Sequence, residues 1–154
     1  MRTNSPLSRQ PDLRYLAVMT GTFQQRLQQV REALLELHKT LVDSERVTYE
    51  QTFGPIPSPS QFLQLLTRDP WFVWLQPMSH LIVAMDEALD EKEPLTENAV
   101  EALFKQTRLL LIATETGDGF SKDYFDALQR DPDVVLAHGK VAKLLGPRKP
   151  DPAA

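Results

Sequence analysis

The chain has 154 residues, an apolar fraction of 42% and no cysteine, so it is the size of one domain and can bury a core without disulfide or thiolate staples. The missing cysteines remove thiol nucleophiles, iron–sulfur clusters and cysteine zinc sites together. A net charge of −4 supplies no positive field to draw the chain onto nucleic acid or an anionic membrane, and neither is expected as a partner.

Residues 1–11, with Pro6 and Pro11 among Asn4, Ser5 and Ser8, read as a flexible lead-in that lacks the apolar run of a signal peptide. Residues 12–145 read as a single helical domain, and 146–154, GPRKPDPAA, as a disordered proline-rich tail. The apolar stretches LIVAM (81–85) and LLLIA (109–113) fall far short of the roughly 20 residues that cross a bilayer. A cytoplasmic protein is expected.

The first element carries the clearest signal. Phe23, Leu27, Val30, Leu34, Leu37 and Leu41 alternate spacings of four and three, the rhythm of one buried helix stripe, and Leu13, Leu16 and Thr20 carry it backwards. Leu35, Val42 and Tyr49 form a second line beside it. Gly21 either divides this stretch into two helices or lies inside one, since an interior glycine costs only about 1 kcal/mol. The alternating prolines of FGPIPSPS (53–60) predict a stiff, extended connector, after which Ser58 caps a short helix with Pro59 at its first position and Gln61 completing a capping box.

That helix, bearing Phe62, Leu65 and Leu66, should stop at LTRDPWFV (66–73). The same frame returns as LQRDPDVV (128–135). In each copy the arginine closes a helix where the macrodipole favours a cation, the aspartate caps the next helix, and the proline takes its first position. From Trp71 a helical rhythm continues through Met78, Met85 and Leu89, with a kink or restart near Gln76 because Pro77 removes a backbone donor. Thr96 should cap the next helix, with Leu95 and Val100 placed as a hydrophobic staple and a buried face of Val100, Leu103, Phe104, Thr107, Leu110, Leu111 and Thr114. TGDG (116–119) is expected to end it, and Ser121 to open a short helix with Tyr124, Phe125 and Leu128. The last helix should run from Asp133 to about Leu145 with Val134, Val135, Val141, Leu144 and Leu145 as its apolar residues, and Gly146 and Pro147 as its stop. No strict alternation of the strand kind occurs. The expected fold is all-α: a single-domain antiparallel helical bundle of four principal helices, plus short helices joined by Asp-Pro corners.

Three histidines and many carboxylates raise a metal-binding bundle. The Glu-x-x-His pattern of di-iron bundles fails, because Leu35, Pro77 and Val135 stand three residues before His38, His80 and His138. His-x-x-x-Glu fails at Val42 and Ala84. The spacing that does occur, His38 to Glu45 and His80 to Glu87, puts each pair on one helix face but about 10 Å apart, too far to share one ion. These four residues are the candidates of an alternative reading, a small-molecule or metal-binding bundle. Ser79 beside His80 makes no nucleophile and base pair, since neighbours on a helix diverge by about 100°. The acidic run Asp86, Glu87, Asp90, Glu91 and Glu93 reads first as a solvated face and second as a patch for a basic partner. No catalytic residue and no cofactor are expected.

The most distinctive stretch is Trp71, Phe72 and Trp74, which cannot all face one core from a single helix. Either several elements surround it, or one ring is left for a partner, where tryptophan is a favoured anchor. Together with the second stripe of the first helix, this nominates Trp71, Trp74, Leu35, Val42 and Tyr49 as partner-binding residues.

Three stretches, LHKTLVDSERVTYE (37–50), DPWFVWLQPMSHLIVAMDE (69–87) and ALQRDPDVVLAHGKV (127–141), resemble those of a family of uncharacterised bacterial helical proteins, over roughly residues 24–145. The resemblance implies a bacterial all-helical protein and assigns no functional residue. The residues themselves favour a non-enzymatic domain acting through protein contacts, by docking to a partner or by pairing with itself as a homodimer.

Overall fold

The computed structural model describes residues 13–147, with seven helices and no strand among them. The lead-in expected over 1–11 lies outside the described residues, as does the tail from 148 onward.

The first apolar rhythm becomes one helix, α1, Leu13–Phe53, which runs through Gly21 without a break and is about 60 Å long at 1.5 Å per residue. Its predicted stripe is the spine of the core: Leu27, Val30, Leu34, Leu37 and Leu41 are buried and Phe23 packs beside them. The extension through Leu13, Leu16 and Thr20 concerns side chains outside the described set. Gly54 ends α1 at a φ of 90°, donating its N–H to the Glu50 carbonyl at 2.8 Å, and Pro55 cannot continue the helix.

After the connector, Ser58 caps α2 (Pro59–Arg68), its hydroxyl accepting from the Gln61 N–H at 3.2 Å. No residue of α2 is fully buried, so this helix lies at the periphery. Asp69 ends α2 and caps α3 (Pro70–Val73) by accepting from the Trp71 N–H at 2.9 Å. The chain restarts as α4 (Gln76–Asp90) at the position Pro77 dictates, so the run from Trp71 onward is two helices. Thr96 caps α5 (Glu97–Leu110) by accepting from the Ala99 N–H at 3.1 Å, with Val100, Phe104 and Thr107 buried.

Several boundaries and faces differ from expectation. α5 ends at Leu110, before TGDG, and Thr114 is exposed instead of buried. The Thr114 N–H, which a continuing helix would direct to the carbonyl four residues back, bonds the Ser121 carbonyl at 3.1 Å and ties the loop to the following helix. That helix, α6 (Phe120–Arg130), begins one residue before Ser121, because Gly119 at φ 78° and ψ −159° turns the chain where a side chain would be strained. α7 (Pro132–Leu145) buries Val134, Ala137, Val141 and Leu145, but leaves Val135 and Leu144 49% and 40% exposed, since they fall on the helix face turned away from α1. α1 packs most extensively against α7 and next against α4, while α5 contacts α1, α4 and α7.

Candidate functional site

The C-terminal third of α1 is where distant parts of the chain converge. Glu45, only 7% exposed, accepts from the Arg130 guanidinium at 2.8 Å, and the same arginine reaches the Ser44 hydroxyl at 3.2 Å. The Glu45 carbonyl accepts the Trp71 indole N–H at 3.3 Å. The two repeated frames therefore meet at one residue: the arginine before the second Asp-Pro binds its carboxylate, and the tryptophan after the first binds its backbone. Burial pushes the Glu45 carboxyl above the ordinary carboxylate range, and the Arg130 hydrogen bond and charge oppose that rise.

One turn further along α1, Tyr49 and Phe53, four residues apart, meet with tilted rings whose centroids are 4.8 Å apart. Trp71 meets both edge-on, at 5.8 Å from Tyr49 and 5.7 Å from Phe53, and Phe72 closes on Tyr49 at 5.5 Å. On the other side of Phe72 lies Phe62 of α2, which carries the Arg46 guanidinium 4.7 Å above its ring. Phe72 is buried, whereas Phe53 is 64% exposed. It forms the wall of a groove of about 610 Å³ between α1, the proline connector and α2, lined also by Pro55, Ile56, Gln64 and Leu65, with Arg68 and Asp69 at one margin. A second groove of equal size runs between α1 and α7 over Ser44, Arg130, Asp131, Asp133 and Lys140.

Of the five nominated partner-binding residues, the structure brings Trp71 and Tyr49 together and separates the rest. Trp74 turns to the opposite side, packing on the core and on Phe120 at 5.3 Å. Val42 packs against the core. Leu35 alone of the second stripe is exposed, at 42%, between the His38–Ser79 and Arg31–Asp86 pairs that join α1 to α4. Beyond Leu35 the second stripe meets several neighbours, because α1 also touches α3 and α5.

The four residues of the metal reading do not converge. Glu45 is engaged by Arg130, His38 bonds the Ser79 hydroxyl at 2.8 Å, and His80 and Glu87 are exposed. Among the described residues no group of three or more histidines and carboxylates is placed to hold a metal ion. Ser79 thus pairs across helices with His38 rather than with its neighbour His80, and neither Ser79 nor His38 lines either groove. The buried Tyr124 hydroxyl and His138 Nδ1 share a hydrogen bond at 2.6 Å, and burial lowers the histidine's pKa and raises the phenol's.

Phe53 and Arg130 were not nominated by the sequence. The Tyr49–Phe53 spacing of four could have signalled the first, as an aromatic pair on one helix face. Nothing local names a partner for Arg130, because Glu45 lies 85 residues away. No helix among the described residues is long and apolar enough to cross a membrane. No family model, curated protein or solved structure matches the chain.

Proposed function

We propose that the chain is a non-enzymatic helical domain that works through protein contacts, taking an extended, proline-bearing segment of a partner into the groove walled by Phe53. The exposure of that ring carries the reading: Phe53 is 64% open to solvent, yet Tyr49 and Trp71 already hold it. A ligand would meet an ordered aromatic wall and would have little side-chain entropy to overcome there. Aromatic-lined grooves suit polyproline segments because the extended helix of the ligand is preformed and its carbonyls are unbonded. Gln61 and Gln64 on α2 offer amide donors for those carbonyls.

In this reading the domain is an antiparallel bundle of four principal helices, α1, α4, α5 and α7, with α2, α3 and α6 as short pieces at the Asp-Pro corners. Two observations support it. Along α1 from Arg31 to His38 the partners on α4 run backwards from Asp86 to Ser79, and from Glu36 to Glu45 the partners run backwards from Lys140 to Arg130.

The test is titration of the full chain with a proline-rich peptide, followed by tryptophan fluorescence and by amide resonances. The expected result is a saturable shift centred on Phe53, Gly54 and Gln64 that Phe53→Ala abolishes. Unchanged spectra up to millimolar peptide would overturn the proposal.

A further inference from the structure

The second groove, about 610 Å³ between α1 and α7, differs from the first in its charge. Four carboxylates line it, Glu36, Asp43, Asp131 and Asp133, against two cations, Arg130 and Lys140. Lys140 is matched by Glu36 at 3.1 Å, and Arg130 turns inward to Glu45, a carboxylate outside the lining. Asp43, Asp131 and Asp133 are thereby left without an ion pair among the described residues. Asp131 and Asp133 have a structural reason to stand at the start of α7, where Asp131 is the cap and the macrodipole favours negative charge. Asp43, exposed in the middle of α1, has none.

Their positions along the groove decide what complements them. Arg130 bonds Glu45 and Lys140 pairs with Glu36, so α7 runs antiparallel to α1 and brings Asp131 and Asp133 level with Asp43. At the same pitch Leu136 comes level with Thr40, and Val47 lies about 10 Å further along α1, with the three carboxylates between the two apolar residues. Both are open to solvent, Val47 at 56% and Leu136 at 67%. The carboxylates form no group able to hold a metal ion, so their complement is a set of separate cationic side chains. We infer that this groove docks a basic segment of a partner protein, whose lysine or arginine side chains meet Asp43, Asp131 and Asp133 while apolar residues on either side of them cover Val47 and Leu136. Opposite charge draws the segment in and fixes its register, and the apolar contacts at both ends shield the charge pairs from water. The two grooves share no lining residue, so this docking and the proline-segment reading stand or fall separately.

The experiment is titration of the full chain with a short synthetic peptide in which leucines flank an Arg-Lys-Arg run, followed by amide resonances. A peptide of the same pattern with glutamate at the cationic positions, and free spermine, are titrated beside it. The basic peptide should give a saturable shift at Asp43, Val47, Asp133 and Leu136 that weakens as salt rises, because exposed charges are screened beyond about 10 Å at 0.1 M. Leu136→Ala should weaken binding about tenfold, the loss of an apolar anchor, and Asp43→Asn about threefold, the loss of an exposed ion pair. Both side chains are exposed, so both variants should keep the fold and report on docking alone. Equal shifts from the glutamate peptide or from spermine, no shift up to millimolar basic peptide, or binding that either variant leaves unchanged would overturn the inference.

Discussion

Glu45 is held between two opposing influences, burial that disfavours its charge and the Arg130 guanidinium that favours it. Removing the guanidinium leaves a buried carboxylate without a partner. Breaking a fully buried pair costs about 3–5 kcal/mol; Arg130 is one-third exposed, so Arg130→Ala is expected to cost about 2 kcal/mol in urea denaturation. The arginine of the other frame, Arg68, is exposed at the groove margin, and Arg68→Ala should stay within about 0.5 kcal/mol. Equal costs for the two would mean that the Glu45 contact adds nothing. His38 and His138 set a pH dependence of their own, because burial lowers both below the ordinary value of 6.5. As pH falls through 6.5 the unfolded chain takes up protons that the folded chain resists, so stability should decline from there downward. Glu45 acts in the opposite sense, its raised pKa adding stability as pH falls toward its ordinary value of 4.5. The urea midpoint should therefore drop between pH 7 and about 5.5, and the double variant His38→Gln, His138→Gln should flatten that slope.

At the scale of the element, the caps and the glycines decide where helices begin and end. Asp69 and Asp131 each accept a backbone N–H two residues on, at 2.9 Å in both cases. Asp69→Ala and Asp131→Ala should each lower stability by about 1 kcal/mol, measured by thermal unfolding. Two glycines should respond with opposite signs. Gly119 has a φ of 78° and opens α6, so Gly119→Ala is expected to destabilise by about 1–2 kcal/mol. Gly139 is inside α7 with open space where a Cβ would stand, so Gly139→Ala should stabilise by about 0.5–1 kcal/mol. The caps at Ser58, Asp69, Thr96 and Asp131 were legible because a cap and the backbone N–H that donates to it lie within three residues of each other. The end of α5 was not, because the bond that redirects Thr114 goes to Ser121 across a loop whose course no local rule sets.

At the scale of the molecule, neighbours on α1 have unlike fates. Leu34 is fully buried in the core, whereas Leu35 is 42% exposed. Leu34→Ala should cost about 3 kcal/mol and Leu35→Ser less than about 0.5 kcal/mol, a contrast that calorimetry would resolve easily. Similar costs would show that a partner or a second copy covers Leu35 in solution. The primary stripe could be read from the sequence because its period alone places it on one helix face. The second stripe could not be assigned, since Val42 and Tyr49 are covered by helices that arrive from elsewhere in the chain while Leu35 is not.

By itself the sequence determined the all-helical class, the spine of α1, the restart at Pro77 and most helix starts, because periodicity and capping act within one or two turns. Tertiary structure decided which of the two tryptophans belongs to the candidate site and which arginine of the repeated frame is paired. Trp71 finds its acceptor 26 residues away and Arg130 its carboxylate 85 residues away, and contacts of that range depend on how the helices dock. It also left the Phe53 ring in the open, which composition and spacing around FGPIPSPS did not foretell.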